Sequence, residues 1–392
     1  MGSHTSNAIG DNELVTTYDA IVVGAGPAGS VTAYRLAAVG ASVLLLDRAR
    51  FPRDKPCGGG LTDRAVGQIP FDVAPVVEDS VRTFELGLRY GQRFERRGAS
   101  TIILMTQRRR LDAFLAEQAA AAGAEFRDGA KVTAVGADGS VAVGGEKIHA
   151  SAVVAADGVN GVASRSLGLE TAYRYGVALE GNVPYRYARE NRYRGRAVLE
   201  LGVVPGGYCW VFAKGDHVNV GVGGWESEGP RLRDHLRRLC AAHGIPEGRV
   251  ESLRGYRLPL RRQQDPLVRG RALVVGDAAG LVDPLSGDGM YEAFVSARLA
   301  SGAILDLLGG RSPTLDPYSG ALTSALASQA SASWAAKRAL DRFPRLVYGF
   351  ARLPPVWRFA DALLRGELKS PSDARGAERM PLKVVKALGA TR

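Results

Sequence analysis

Residues 18–47 read YDAIVVGAGPAGSVTAYRLAAVGASVLLLD, and this stretch decides the fold. YDAIVV is a short apolar run suited to a strand buried on both faces of a parallel sheet. Gly24, Gly26 and Gly29 follow in GxGxxG spacing, Pro27 and Ala28 open the next segment, and SVTAYRLAAVG repeats its apolar residues with a helical period. SVLLLD is a second buried strand, ending on Asp47, 18 residues after Gly29. Gly24 permits a tight turn, Gly26 lets a pyrophosphate approach bare backbone, and Gly29 lets helix pack on strand. The helix N-terminus offers free N–H groups to phosphates, and Asp47 can accept hydrogen bonds from ribose hydroxyls. Strand, glycine turn, helix, strand and acid in register point to dinucleotide binding.

The surrounding composition narrows the class. With 392 residues, 46% of them apolar and 23% charged, the chain can form two domains or one large elaborated one. It contains no apolar run of about 18 residues, the length of a membrane-spanning helix. Residues 1–17 read as a flexible polar tail without the apolar segment of a signal peptide. Cys57, Cys209 and Cys240 stand far apart with no CxxC pair, which argues against a metal site or a disulfide framework and fits a cytoplasmic location. The net charge of +11 is spread along the chain and mixed with acids. Nucleic acid is therefore not the expected partner, and solvated helix faces or an anionic ligand such as a diphosphate account for the charge.

Residues 271–300, RALVVGDAAGLVDPLSGDGMYEAFVSARLA, run from a buried strand through Gly276 and Asp277 into a turn-rich loop with Gly287 and Gly289. A helix is expected to start near Met290. This resembles the second FAD signature of the p-hydroxybenzoate-hydroxylase-like flavoproteins. The resemblance implies that Asp277 binds the ribityl chain and that the following loop and helix start face the flavin pyrimidine. Asp157-Gly158, with Ser164-Arg165 beyond, resembles that family's DG motif, and Arg108 matches the arginine preceding its second FAD-domain helix. Arg48 and Val132 join the cofactor-binding set on the same basis. The cofactor implied is FAD. NADPH or a reduced electron-carrier protein is left open as the reductant.

Within that superfamily, PRDKPCGGGLTDRAV (52–66) looks like the geranylgeranyl reductase branch. The resemblance places Cys57, Gly58 and Gly60 against the flavin, and Cys57 is the candidate catalytic group, since a thiol can donate a proton or form a redox pair with, for example, Cys209. GGYCWVFAKGDHVNVGVG (206–223) is similar to an aromatic segment of the same branch, with Ala213 where the family usually has proline. Tyr208, Trp210 and Phe212 alternate, so they share one face of a strand that is expected to run on to Val222. They are the candidate wall for an apolar small-molecule substrate, or else core of their own domain.

The expected architecture is α/β: a Rossmann-like FAD-binding domain, an inserted antiparallel β-sheet substrate domain and a C-terminal helical segment. The FAD-binding domain comprises 18–74, 105–170 and 260–315, the substrate domain 75–104 and 171–259, and the helical region 316–392. The basic, aromatic stretch 344–370 suits peripheral membrane contact, a cap on a lipid tunnel, or a helical cap packed on the FAD domain, and the last two dozen residues read as a loosely held tail. The leading activity is reduction of a carbon–carbon double bond of an isoprenoid or related polyene. The alternatives are a flavin monooxygenase, a halogenase (for which Lys55 and Lys214 sit in reductase-like contexts) and an electron-transfer flavoprotein.

Overall fold

A computed structural model describes residues 17–170, 174–246, 248–376 and 379–390. Most of the expected N-terminal tail, residues 1–16, lies outside the described residues.

The strands Thr17–Val23 and Val43–Leu46 pair in parallel, with Ala20 beside Val43 and Val23 beside Leu46. Strand Glu146–Ala155 flanks the first on its other side, Ala272–Val274 lies beyond it, and both are parallel to it. The four residues of Val43–Leu46 are all buried, as a strand inside a parallel sheet must be. Helix Pro27–Ala37 crosses between the first two strands and packs on helices Arg108–Ala121 and Met290–Leu308. The fold is therefore mixed α/β with a Rossmann-type unit, and Met290 opens its helix where the sequence pattern places it.

The second sheet has seven strands in the order Glu251–Leu260, Arg174–Pro184, His217–Trp225, Tyr208–Ala213, Arg196–Leu201, Thr83–Leu88, Gln92–Arg97. It is antiparallel except where Arg196–Leu201 runs parallel to Thr83–Leu88. Those two strands come from segments separated by the FAD-domain crossover, so no hairpin dictates their direction. The expected continuous strand to Val222 is instead a hairpin: Tyr208–Ala213 turns back through Lys214, Gly215 and Asp216 into His217–Trp225. A third, three-stranded sheet joins Gly60–Thr62, Ile103–Met105 and Asp79–Val81, so the boundary drawn at 104/105 falls within a strand.

Helices Pro317–Arg342, Pro344–Ala351 and Pro354–Leu364 follow. The stretch expected to be a loose tail contains helix Arg379–Ala390, packed on Pro317–Arg342. Arg338 Nε donates to the Gly389 carbonyl at 2.8 Å, and a side chain on Gly389 would meet the Ala335 carbonyl at 2.5 Å. Close helix packing, with Gly389 at the contact, holds this segment down.

Candidate functional site: a nucleotide cradle joined to an aromatic face

The cradle is built where the first strand ends. Gly24 has φ +104°, and a Cβ there would lie 2.4 Å from the Ala156 carbonyl; a Cβ on Gly29 would fall 1.8 Å from the Gly24 carbonyl. Only glycine fits either position. Gly26 caps helix Pro27–Ala37 without a side-chain partner. The nearest atoms to a Cβ on it are the guanidinium tips of Arg53 and Arg108, at 3.6 and 3.9 Å. Bare backbone at a helix N-terminus under two guanidinium groups fits a diphosphate. Asp47 is buried at the end of its strand, accepting from Ala25 N and Ala49 N, both at 2.9 Å.

Asp112 holds the two arginines. It is fully buried, takes a bidentate pair from Arg108 at 2.6 and 2.8 Å, and meets Arg53 at 2.7 Å. Burial disfavours the Arg108 charge, but Asp112 outweighs it and keeps the guanidinium above its ordinary pKa. Arg53 and Asp112 were not singled out from the sequence. Asp112 was within reach, because an acid four residues after Arg108 shares its helix face.

The second signature lies against the first. A Cβ on Gly276 would sit 3.0 Å from that of Ala28, and Gly276 N donates to Ser296 Oγ at 3.1 Å. Asp277 accepts from Lys55 Nζ at 2.8 Å and Tyr256 OH at 3.1 Å. Burial acts to raise the Asp277 pKa, yet Lys55 brings it below the usual carboxylate range. Gly289 faces the Asp277 carboxylate, and Gly287 adopts φ +67° beside Leu258. Asp157 accepts from Val162 N and Ala163 N at 2.6 and 3.0 Å; burial lifts its pKa, against the lowering by these two N–H groups. Arg48 is exposed. A Cβ on Gly158 would lie 3.6 Å from Tyr256 OH. Val132 is core, packed with Val135 and Val143 in the FAD-domain sheet.

Residues 53–60 connect this cradle to the seven-stranded sheet. Arg53 bonds into the cradle, Asp54 meets Arg254 at 2.9 Å, and Lys55 lies 4.5 Å over the Tyr256 ring. Cys57 N donates to Glu180 Oε1 at 2.7 Å, and Gly59 N donates to Cys57 Sγ at 3.3 Å. The consecutive glycines meet protein. A Cβ on Gly58 would press the Phe212 ring at 3.0 Å, one on Gly59 would lie 2.1 Å from both Lys214 Nζ and the Thr106 carbonyl, and one on Gly60 would reach Ile103 at 2.9 Å. Lys214, 2% exposed, donates to the Gly58 and Thr106 carbonyls.

Burial pushes the Lys214 ammonium down to about 8 and pushes the Cys57 thiol and the Glu180 carboxyl up. Cys57 is thus a neutral thiol. Cys209 does not pair with it: Cys209 Sγ contacts Tyr90 OH at 3.6 Å within the core on the other face of its strand. Tyr208, Trp210 and Phe212 form one row, with ring centroids 6.1 and 6.2 Å apart. Phe212 abuts Gly58, and Tyr208 OH donates to the Ser286 carbonyl in the loop before Met290. An apolar cavity of about 70 Å³ lies elsewhere, between residues 280–284 and helix Pro317–Arg342. Among the described residues no cluster of His, Cys, Asp and Glu is arranged to hold a metal, and no helix is long and apolar enough to cross a membrane.

The sequence matches the FAD binding domain family over residues 17–321. It is 32% identical over 317 residues to the menaquinone reductase of Mycobacterium tuberculosis, covering 72% of this chain and 75% of that one. This chain belongs to the geranylgeranyl reductase family of FAD-dependent oxidoreductases. A family member from Rhodobacter capsulatus, a geranylgeranyl diphosphate reductase, is 31% identical over 324 residues, covering 76% and 77% of the two chains. The fold is shared with a geranylgeranyl bacteriochlorophyll reductase-like protein of Thermoplasma acidophilum, with a TM-score of 0.79, 22% identity, and 95% and 99% coverage.

The Gly24–Asp47 cradle, Arg108 and the Asp277 loop are the groups that fit FAD. Glu180 and Tyr256 escaped the sequence reading, and Lys214 entered it only in weighing a halogenase, not as a partner of the loop at 53–60. Glu180 is one of several polar residues in its strand RYGVALEGNVP, so nothing in the sequence marked it out.

Proposed function

We infer that the chain reduces a carbon–carbon double bond of an isoprenoid or a related apolar polyene. The observation that carries this reading is the loop at 53–60, whose one end closes the nucleotide cradle through Arg53 while Gly58 near its other end abuts Phe212 of the aromatic row. The relatives named for geranylgeranyl diphosphate and menaquinone support an isoprenoid substrate.

The chemistry FAD brings when bound is hydride donation from N5 to one alkene carbon. Arg53 and Arg108 would neutralise its diphosphate, and Asp277 would bind its ribityl chain. Tyr208, Trp210 and Phe212 would form an apolar wall that orients the polyene and excludes water. Cys57, kept neutral by burial, holds a proton at Sγ that the second alkene carbon could take. NADPH or a reduced carrier protein would supply the electrons. Lys214 is committed to two backbone carbonyls, which favours this reading over a halogenase.

The test is anaerobic photoreduction of the FAD-loaded protein followed by mixing with geranylgeranyl diphosphate or a menaquinone. Flavin reoxidation with a product two mass units heavier is expected. A reaction that begins only when oxygen is admitted would overturn this reading in favour of a monooxygenase.

A further inference from the structure

Helices Pro344–Ala351 and Pro354–Leu364 form an elbow whose two faces differ sharply. The inner face is aromatic and anchored on the hairpin Thr83–Leu88/Gln92–Arg97. Tyr348 meets Phe94 edge-on at 5.1 Å, and Trp357 meets Phe84 at 5.7 Å. An Asp361–Arg365 pair at 3.1 Å closes the far end. The elbow is therefore held by packing along one face.

That outer face combines charge with exposed hydrocarbon. Arg345, Arg352 and Arg358 are exposed, Arg352 with its guanidinium 5.9 Å over the edge of the inner face at Phe94, and residues 342–360 contain no Asp or Glu. Between these arginines project Leu346, 51% exposed, and Leu353, 40% exposed, two of the four large apolar side chains most open to solvent among the described residues. Isolated exposed leucines are unremarkable in a soluble protein. Two of them interspersed with three exposed arginines, in a run of residues without an acid, match the anionic headgroup layer of a bilayer, with acyl chains beneath to receive the leucines. A nucleic acid would reward the arginines but not the leucines.

We propose that this elbow, through Leu346, Leu353 and the exposed Arg345, Arg352 and Arg358, docks the protein on the surface of an anionic lipid bilayer without spanning it. This surface is distinct from the nucleotide cradle and the aromatic row, and the proposal holds whichever substrate the site takes.

The test is co-sedimentation of the full-length, FAD-loaded protein with vesicles of phosphatidylcholine alone or mixed with phosphatidylglycerol. Binding is expected to the mixed vesicles and to weaken with added salt. Arg345→Gln and Arg358→Gln should each lower the affinity roughly fivefold, and Leu346→Asp with Leu353→Asp should abolish it. Retained FAD content would show that these variants are folded, because none of the four residues touches the cradle. No binding to the mixed vesicles would overturn the proposal. So would binding untouched by the leucine substitutions, displacement by single-stranded DNA, or a dimer in solution that covers the elbow.

Discussion

The two ends of the loop at 53–60 are secured by opposite physics. At Arg53 the chain is held by charge: two guanidinium groups share one fully buried carboxylate, Asp112. At Gly58–Gly60 it is held by shape, with backbone pressed against Phe212, Lys214, Thr106 and Ile103, most tightly at Gly59. The first end should tolerate changes of volume but not of charge, and the second changes of charge but not of volume. This contrast divides the labour of the site. An electrostatic cradle suits a diphosphate, and a close-packed seam fixes the distance between that cradle and the aromatic face.

The largest expected effect tests the charged end. Asp112→Ala leaves Arg108 buried without its partner and should cost about 3–5 kcal/mol in denaturant unfolding of the FAD-free protein. Added FAD should recover part of that loss, because its diphosphate replaces the missing negative charge. A variant as stable as the parent would remove the electrostatic half of the contrast.

At the packed end, Gly59→Ala must adopt φ +72° and meets both a backbone oxygen and Lys214 Nζ at 2.1 Å. It should cost on the order of 3 kcal/mol. Gly58→Ala, facing an aromatic ring that can tilt, should cost about 1 kcal/mol. Equal costs at the two positions would show that the seam is softer than its distances indicate.

Lys214→Met sharpens the comparison, since this lysine brings a charge into the packed end. It leaves the Gly58 and Thr106 carbonyls without their donor and should cost about 1–2 kcal/mol near neutral pH. The folded ammonium releases its proton near 8, whereas an unfolded lysine holds it to about 10.4. Between those values the unfolded chain binds more protons, so native stability rises with pH. The stability gap between parent and variant should therefore widen from about pH 8 to about pH 10. A gap that stays constant would mean that Lys214 titrates normally.

The smallest effect concerns the thiol. Cys57→Ser keeps a group that can accept from Gly59 N, so FAD content should not change. Slower turnover at full FAD content would support a chemical role for Cys57, and unchanged turnover would leave it with packing alone.

What could be read from the chain differs between the two ends for the same reason. Gly24, Gly26, Gly29 and Asp47 lie within two dozen residues, so the cradle's geometry follows from local spacing and burial. The seam depends on strand register. Lys214 reaches Gly58 across 156 residues and Glu180 reaches Cys57 across 123, and no periodicity reports that proximity. The glycines after Cys57 were legible as a demand for bare backbone, but the Phe212, Lys214 and Ile103 contacts that make the demand were not. Gly215 and Asp216 hid a hairpin within what looked like one strand, because the apolar pattern resumes directly after the turn.

The central claim is that the seam sets the cofactor cradle beside the aromatic face proposed to hold the substrate. Its most direct test is a single-turnover comparison of the photoreduced parent protein and Phe212→Ala, each mixed anaerobically with geranylgeranyl diphosphate and, separately, with ferricyanide. The account predicts that the substitution slows flavin reoxidation by the prenyl substrate at least tenfold (about 1.4 kcal/mol), while FAD content and reoxidation by ferricyanide stay unchanged. Equal rates with the prenyl substrate, or the same slowing with ferricyanide, would contradict it.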